Sequence, residues 1–206
     1  MAKQTIAGLE FERYIQSAFR IAGAGKTVYI DPHRLPAGQP KADLVLVTHE
    51  HGDHLDPGAI DAVRKDDTVV IANAPCAAKL AGKGIVVSVR EGDEVTEQGI
   101  AVRAVPAYNG YHPRGFNVAY VLRMGDTAIF HGGDTDSVPE WAGLGPIDVA
   151  LLPIGGTYTM DEEGALDAVR TMRPKVAVPM HYGYATAGDP EKFRSLVGDL
   201  AQVVVL

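Results

Sequence analysis

An uninterrupted apolar run, Leu44-Val45-Leu46-Val47, leads directly into Thr48-His49-Glu50-His51-Gly52-Asp53-His54-Leu55-Asp56-Pro57, and no other stretch constrains the chain as strongly. The run reads as a strand buried on both faces, because such strands lose the alternation of apolar and polar residues. Three of the seven histidines then fall within six residues, together with carboxylates at Glu50, Asp53 and Asp56. His49 and His51 are two apart, so on extended chain both point to one side, whereas Glu50 points away. Asp56-Pro57 is a helix-start pair, with Asp as N-cap and Pro at the first helical position. Asp53 and His54 therefore lie on the turn between strand and helix. Imidazole and carboxylate are ligands for zinc and similar metals, and four such groups at this spacing suggest two ions. A merely polar surface turn does not account for three imidazoles placed directly after a buried strand.

T-H-E-H-G-D-H-L-D resembles the H-x-H-x-D-H signature of the metallo-β-lactamase superfamily of hydrolases. Within it the chain most resembles the small bacterial and archaeal metal-dependent hydrolases that neighbour the ascorbate-6-phosphate lactonases. The resemblance implies an α/β (α+β) four-layer αβ/βα sandwich with a metal site along one sheet edge. It also implies a third His, a bridging Asp and a last His on later loops. Asp134 in F-H-G-G-D-T fits the bridge, and His181 in V-P-M-H-Y-G fits the last His. For the third, many relatives carry the His where this chain has Asn109. His112, three residues on, is the donor assigned, with Asn109 or a water as the alternative. The implied set is His49, His51 and His112 on one ion, Asp53, His54 and His181 on the other, and Asp134 between them. His131 is left over, as an orienting or a structural group.

The chain has 206 residues, 46% hydrophobic and 22% charged, which fits one globular domain spanning 1–206. A net charge of −7 without a Lys/Arg cluster argues against nucleic acid as the substrate. Cys76 is the only cysteine, which excludes an internal disulfide and a Cys-based zinc finger. It reads as a buried, inert thiol. The first ten residues lack the apolar core of a signal peptide and no stretch reaches membrane-spanning length, so the expected placement is cytoplasmic. Oligomeric state is not legible in the sequence.

Along the chain, residues 11–21 and 27–30 read as two β-like runs around a Gly-rich turn. Gly25-Lys26-Thr27 there is a hairpin and not a phosphate-binding loop, since strand continues after it. Asp31 and His33 end that hairpin near the metal motif, as supporting groups or pocket rim. Strands follow at 68–72, 85–89, 100–106, 116–124, 127–130, 148–152, 176–180 and 203–206, with 92–99 a polar, turn-rich link. Helices are expected at 75–80 and 190–197. Another opens on a capping box, Thr159 to Glu162, and buries Ala165, Leu166, Val169 and Met172.

These residues imply a hydroxide bridging two Zn2+ ions (or Mn2+ or Fe2+) that attacks an ester, lactone or phosphoester of a small molecule. Asp53, beside His54, is the expected catalytic group that holds the nucleophile or passes a proton. The alternatives are a phosphodiesterase or nuclease of the same superfamily and a catalytically silent metal-binding protein. Tyr108, Tyr111, Arg114, Tyr158, Tyr182 and Tyr184 are candidates for substrate choice, and Asp136, Asp56 and Glu50 for partners of the ligating imidazoles.

Overall fold

The computed structural model describes residues 3–206. Met1 and Ala2, the start of the N-terminal stretch and of the 1–206 domain read above, lie outside the described residues. Two seven-stranded sheets each take their strands in chain order. The first holds β1 (Lys3–Ile6), β2 (Leu9–Arg13), β3 (Phe19–Gly23), β4 (Lys26–Ile30), β5 (Leu44–Val47), β6 (Val69–Asn73) and β7 (Ile85–Val89). The second holds β8 (Glu94–Glu97), β9 (Ile100–Ala107), β10 (Asn117–Met124), β11 (Thr127–His131), β12 (Val149–Pro153), β13 (Val176–Met180) and β14 (Gln202–Val203). In each sheet three antiparallel pairings are followed by three parallel ones, so the halves repeat one topology.

Side-chain alternation sorts the apolar residues into three layers of core. Leu44 and Leu46 of β5 face Tyr120, Leu151 and Val178 of the other sheet in the central layer. Val45 and Val47 turn outward onto Ile60 and Val63 of α1 (Pro57–Val63) and Cys76 of α2 (Ala74–Lys79). On the far side, Phe130, Ala150 and Ala177 pack against α3 (Glu162–Met172) and α4 (Pro190–Val197). The result is the four-layer αβ/βα arrangement that the motif implied. It also explains why β5, β12 and β13 are uniformly apolar: each is covered on both faces.

Asp56 caps α1, accepting from the Ala59 amide, and Cys76 is buried, with burial pushing its thiol up to about 12. Other boundaries differ from expectation. The run at 11–21 is two strands, β2 and β3, because residues 14–18 turn back through a left-handed Gln16. Residues 92–99 contain the edge strand β8, whose polar residues face solvent on an uncovered edge. Asp161, not Thr159, caps α3. The Asp161 side chain accepts from the Gly164 amide, whereas the Thr159 hydroxyl accepts from Gly155 N and donates to the Met160 carbonyl. The last strand is only Gln202–Val203, one short pairing at the sheet margin.

Tyr120 crosses the central layer, and its hydroxyl donates to the Val47 carbonyl at 2.8 Å, directly beneath the metal motif. Removing a buried donor leaves that carbonyl unsatisfied. Tyr120→Phe is therefore expected to lower the unfolding free energy by about 1–3 kcal/mol in urea denaturation of the metal-free protein, with an unchanged m-value.

Candidate metal centre

The carboxyl ends of β4, β5, β9, β11 and β13 and the turn between β2 and β3 all open at one edge of the sandwich, the usual place for a site in parallel sheets. Each end delivers polar groups. His49, His51, Asp53 and His54 follow β5, His112 follows β9, Asp134 follows β11 and His181 follows β13. All seven residues singled out in the sequence meet there.

Their atoms sit at the spacing of shared ligands. His51 Nδ1 lies 3.1 Å from His49 Nε2 and 3.2 Å from His112 Nε2. Two nitrogens bound to one tetrahedral ion at 2.0–2.1 Å are about 3.3 Å apart. The second grouping joins Asp53, His54 and His181, with Asp53 Oδ2 3.6 Å from His54 Nε2 and 3.7 Å from His181 Nε2. Asp134 lies between the two. Its Oδ1 is 3.2 Å from His54 Nε2, and its Oδ2 is 3.2 Å from His181 Nε2 and 3.9 Å from both His49 Nε2 and His112 Nε2.

Outer partners fix the ring tautomers. His54 Nδ1–H donates to Asp31 Oδ2 at 2.7 Å, since an ionised carboxylate can only accept. His112 Nδ1–H donates to Asn109 Oδ1 at 3.0 Å. Thr48 Oγ1 gives its own proton to Asp31 at 2.7 Å and so accepts from His49 Nδ1 at 3.0 Å. Thr186 Oγ1 donates to the His181 carbonyl, leaving its lone pairs towards His181 Nδ1 at 3.4 Å. Nε2 of each of these four rings is thereby turned inward. At the centre, His54 Nε2 and Asp134 Oδ1 are buried without a hydrogen-bond partner among the described residues, although buried polar groups in proteins are as a rule paired. Lone pairs converging at such distances repel unless a proton or a cation lies between them. The donor set, five imidazoles and two carboxylates, suits zinc and also manganese or iron.

The two groupings differ electrostatically. Burial, reinforced by His54, holds His49 well below the usual imidazole range, and burial also lowers His112. At His54 burial acts in the same direction, but the Asp134 and Asp31 carboxylates outweigh it and raise the ring well above that range. At His181 burial is outweighed by hydrogen bonds to Asp134 and Asp53, which raise it to about 9. Burial opposes ionisation of Asp53 and Asp134, yet His181 and His54 hold both carboxyls below the ordinary range.

Local backbone explains the placement. Asp31 (φ 46°) and His181 (φ 57°) both adopt the left-handed conformation, a strain that clusters at functional sites. A Cβ on Gly133 would lie 2.9 Å from Asn117 Oδ1 and 3.1 Å from Thr48 Cβ, so only glycine lets the Asp134 loop approach. Asn117 Nδ2 then holds the Asp134 carbonyl at 2.7 Å.

Several secondary assignments change. Asn109 stands behind His112, orienting it. Asp31, read as a supporting group or pocket rim, is the carboxylate behind His54, while of the partners expected by proximity Asp56 pairs with His33, Glu50 with Lys79, and Asp136 is exposed on another surface. His131 is structural: its Nε2 meets the Ser17 carbonyl and its Nδ1 accepts from Gly133 N. Arg114 is taken up by Glu91 and Glu140, and Tyr108 also bonds Glu140. Tyr182 stacks under Arg13 and Tyr184 near Arg34. Tyr111 and Tyr158 alone of that group line the cavity of about 410 Å³ over the centre. Thr48, Asn117 and Thr186 escaped sequence reading, since a lone hydroxyl or amide carries no spacing signal.

Among the described residues no helix is long and apolar enough to cross a membrane. A family profile described as a β-lactamase superfamily domain matches residues 12–181. A UPF0173 metal-dependent hydrolase of Thermococcus kodakarensis is 38% identical over 92% of both chains. A crystal structure from Parabacteroides distasonis superposes with a TM-score of 0.87 at 34% identity, covering 99% of this chain and 96% of that one. Igni18, a metallo hydrolase from Ignicoccus hospitalis, gives 0.83 at 29% identity over 96% and 94%. Motif, fold and relatives agree: the chain belongs to the metallo-β-lactamase superfamily, as a metal-dependent hydrolase.

Proposed function

We propose that residues 1–206 form a single metallo-hydrolase domain that seats two divalent cations and hydrolyses a small-molecule ester, lactone or phosphoester. Zinc is the expected metal, with Mn2+ or Fe2+ as alternatives, and the cytoplasm the expected compartment. The observation that carries this reading is the position of Asp134 between the two groupings, with Oδ1 3.2 Å from His54 Nε2 and Oδ2 3.2 Å from His181 Nε2 and 3.9 Å from His49 Nε2 and His112 Nε2. Cations there supply Lewis acidity and a water acidified towards neutrality.

The protein's own groups supply the rest. Asp53 is partly open to the cavity and stays ionised, so it accepts a hydrogen bond and orients a nucleophile; its low pKa makes it a weak proton carrier. His54, held by Asp31, fixes the far side of the same position. Phe116 packs beside His49, His51 and His112 and keeps that flank dry. Tyr111 and Tyr158, edge to face at 5.2 Å, stand at the mouth as walls for an apolar part of the substrate. A cavity of about 410 Å³ is in the range of small-molecule sites, which favours this reading over a nuclease.

The test is assay of the metal-loaded protein against generic esters, lactones and phosphodiesters. Turnover of at least one, lost on the order of a hundred-fold or more in Asp53→Ala, is the expected outcome. Hydrolysis of phosphodiesters alone would support the nuclease reading, and two bound ions without any turnover would support a silent binding protein.

Metal occupancy has a defined pH dependence. A cation on His181 must displace a proton held up to about pH 9 in the metal-free protein, while His49 and His112 are already neutral at pH 7. Affinity at the Asp53/His54/His181 position therefore falls about ten-fold per pH unit per proton displaced as pH drops below that value. Dialysis at pH 8, 7 and 6 followed by elemental analysis is expected to show one ion leaving before the other. Simultaneous loss of both would contradict the assignment.

A further inference from the structure

Gln16 has no part in the site as described so far, yet it sits inside it. The residue is fully buried, in the turn between β2 and β3, with a left-handed φ of 51°. That turn is clamped to the loop carrying His181. The Gln16 carbonyl accepts from His181 N at 3.0 Å and from Arg13 Nε at 3.3 Å. Arg13 Nη2 in turn donates to the Tyr182 carbonyl at 2.7 Å, its guanidinium 3.9 Å above the Tyr182 ring.

This clamp aims the carboxamide at the metal cluster, where Gln16 helps to line the cavity. Its Nε2 is 3.2 Å from His181 Nε2, the distance that also separates His181 from Asp134 and His51 from His112. Its Oε1 is buried without a hydrogen-bond partner among the described residues. A half-turn of the amide exchanges the two atoms, bringing the unpaired oxygen to the position beside His181 Nε2. The strained backbone, the orphan oxygen and the ligand-like spacing have one explanation in common.

We propose that Gln16 Oε1 is a further ligand of the cation held by Asp53, His54 and His181. A carbonyl oxygen added there raises the ligand number and favours an oxygen-tolerant ion such as Mn2+ relative to tetrahedral Zn2+. The inference rests on the two-cation reading above.

The test is chelator-competition titration of the metal-free protein with Zn2+ and with Mn2+, in wild type, Gln16→Leu and Gln16→Glu. The tighter constant, belonging to the three-His position, is expected to persist in every variant and reports that each is folded. The weaker constant is expected to drop on the order of ten-fold in Gln16→Leu, more for Mn2+ than for Zn2+, and to recover or tighten in Gln16→Glu. An unchanged weaker constant in Gln16→Leu would overturn the proposal while leaving the two-cation reading intact. A wild type binding fewer than two ions would overturn both. Should Gln16→Leu lose both constants, Gln16→Asn takes its place, since Asn tolerates left-handed backbone but is one methylene too short to reach. An unaffected weaker constant there would overturn the proposal equally.

Discussion

Asp134 is enclosed at the sheet edge as a carboxylate, with four imidazole nitrogens 3.2 to 3.9 Å from its oxygens. Burying such a charge is costly unless it is paired and hydrogen-bonded. Here the pairing is supplied by rings that are themselves held from behind by Asp31, Thr48, Asn109 and Thr186. Each outer partner takes an Nδ1 and so leaves an Nε2 facing inward. The arrangement is stable as a whole only with positive charge at its centre, either protons on His54 and His181 or metal ions. In the metal-free protein that charge is carried by the His54 and His181 rings, whose protons a bound cation displaces.

That network depends on the sandwich. The clustered imidazoles and carboxylates come from both sheets, and they meet because β5, β11 and β13 are buried parallel strands whose carboxyl ends share one edge. The two sheets hold one half of the chain each, so Asp31 and His49 come from one half and Asp134 from the other. Tyr120 and Val118, both on β10, fasten the halves just below and beside the centre, through the Val47 and Thr48 carbonyls. Motion between the sheets would open the site, which explains why polar contacts cross the otherwise apolar central layer there.

Much of this was legible in the chain. The run from Leu44 to Asp56 states strand, turn and helix cap in thirteen residues, and each reappears in the structure. Asp134 and His181 fit the family pattern and each follows an apolar strand, whereas His112 lies in the loop beyond β9 and is assigned from the resemblance alone. The second layer was not legible by proximity: Asp136, Asp56 and Glu50 are close in sequence but point elsewhere, while Asp31 reaches His54 across a parallel strand pair. The turn at residues 14–18 was missed for a related reason. Its reversal is made by a left-handed Gln and an Arg clamp instead of Gly or Pro, so periodicity ran straight through it. The exposed strand β8 is polar on an edge and carries no apolar alternation to betray it.

The central claim is that two cations flank Asp134. Anomalous diffraction from crystals grown with zinc, recorded above and below the zinc absorption edge, tests it most directly. The account predicts two peaks about 3.5–4 Å apart, one among His49, His51 and His112 and the other among Asp53, His54 and His181, each about 2.0–2.2 Å from its ligand atoms. No peak beside those imidazoles, or an Asp134 carboxylate turned away from them, would contradict it.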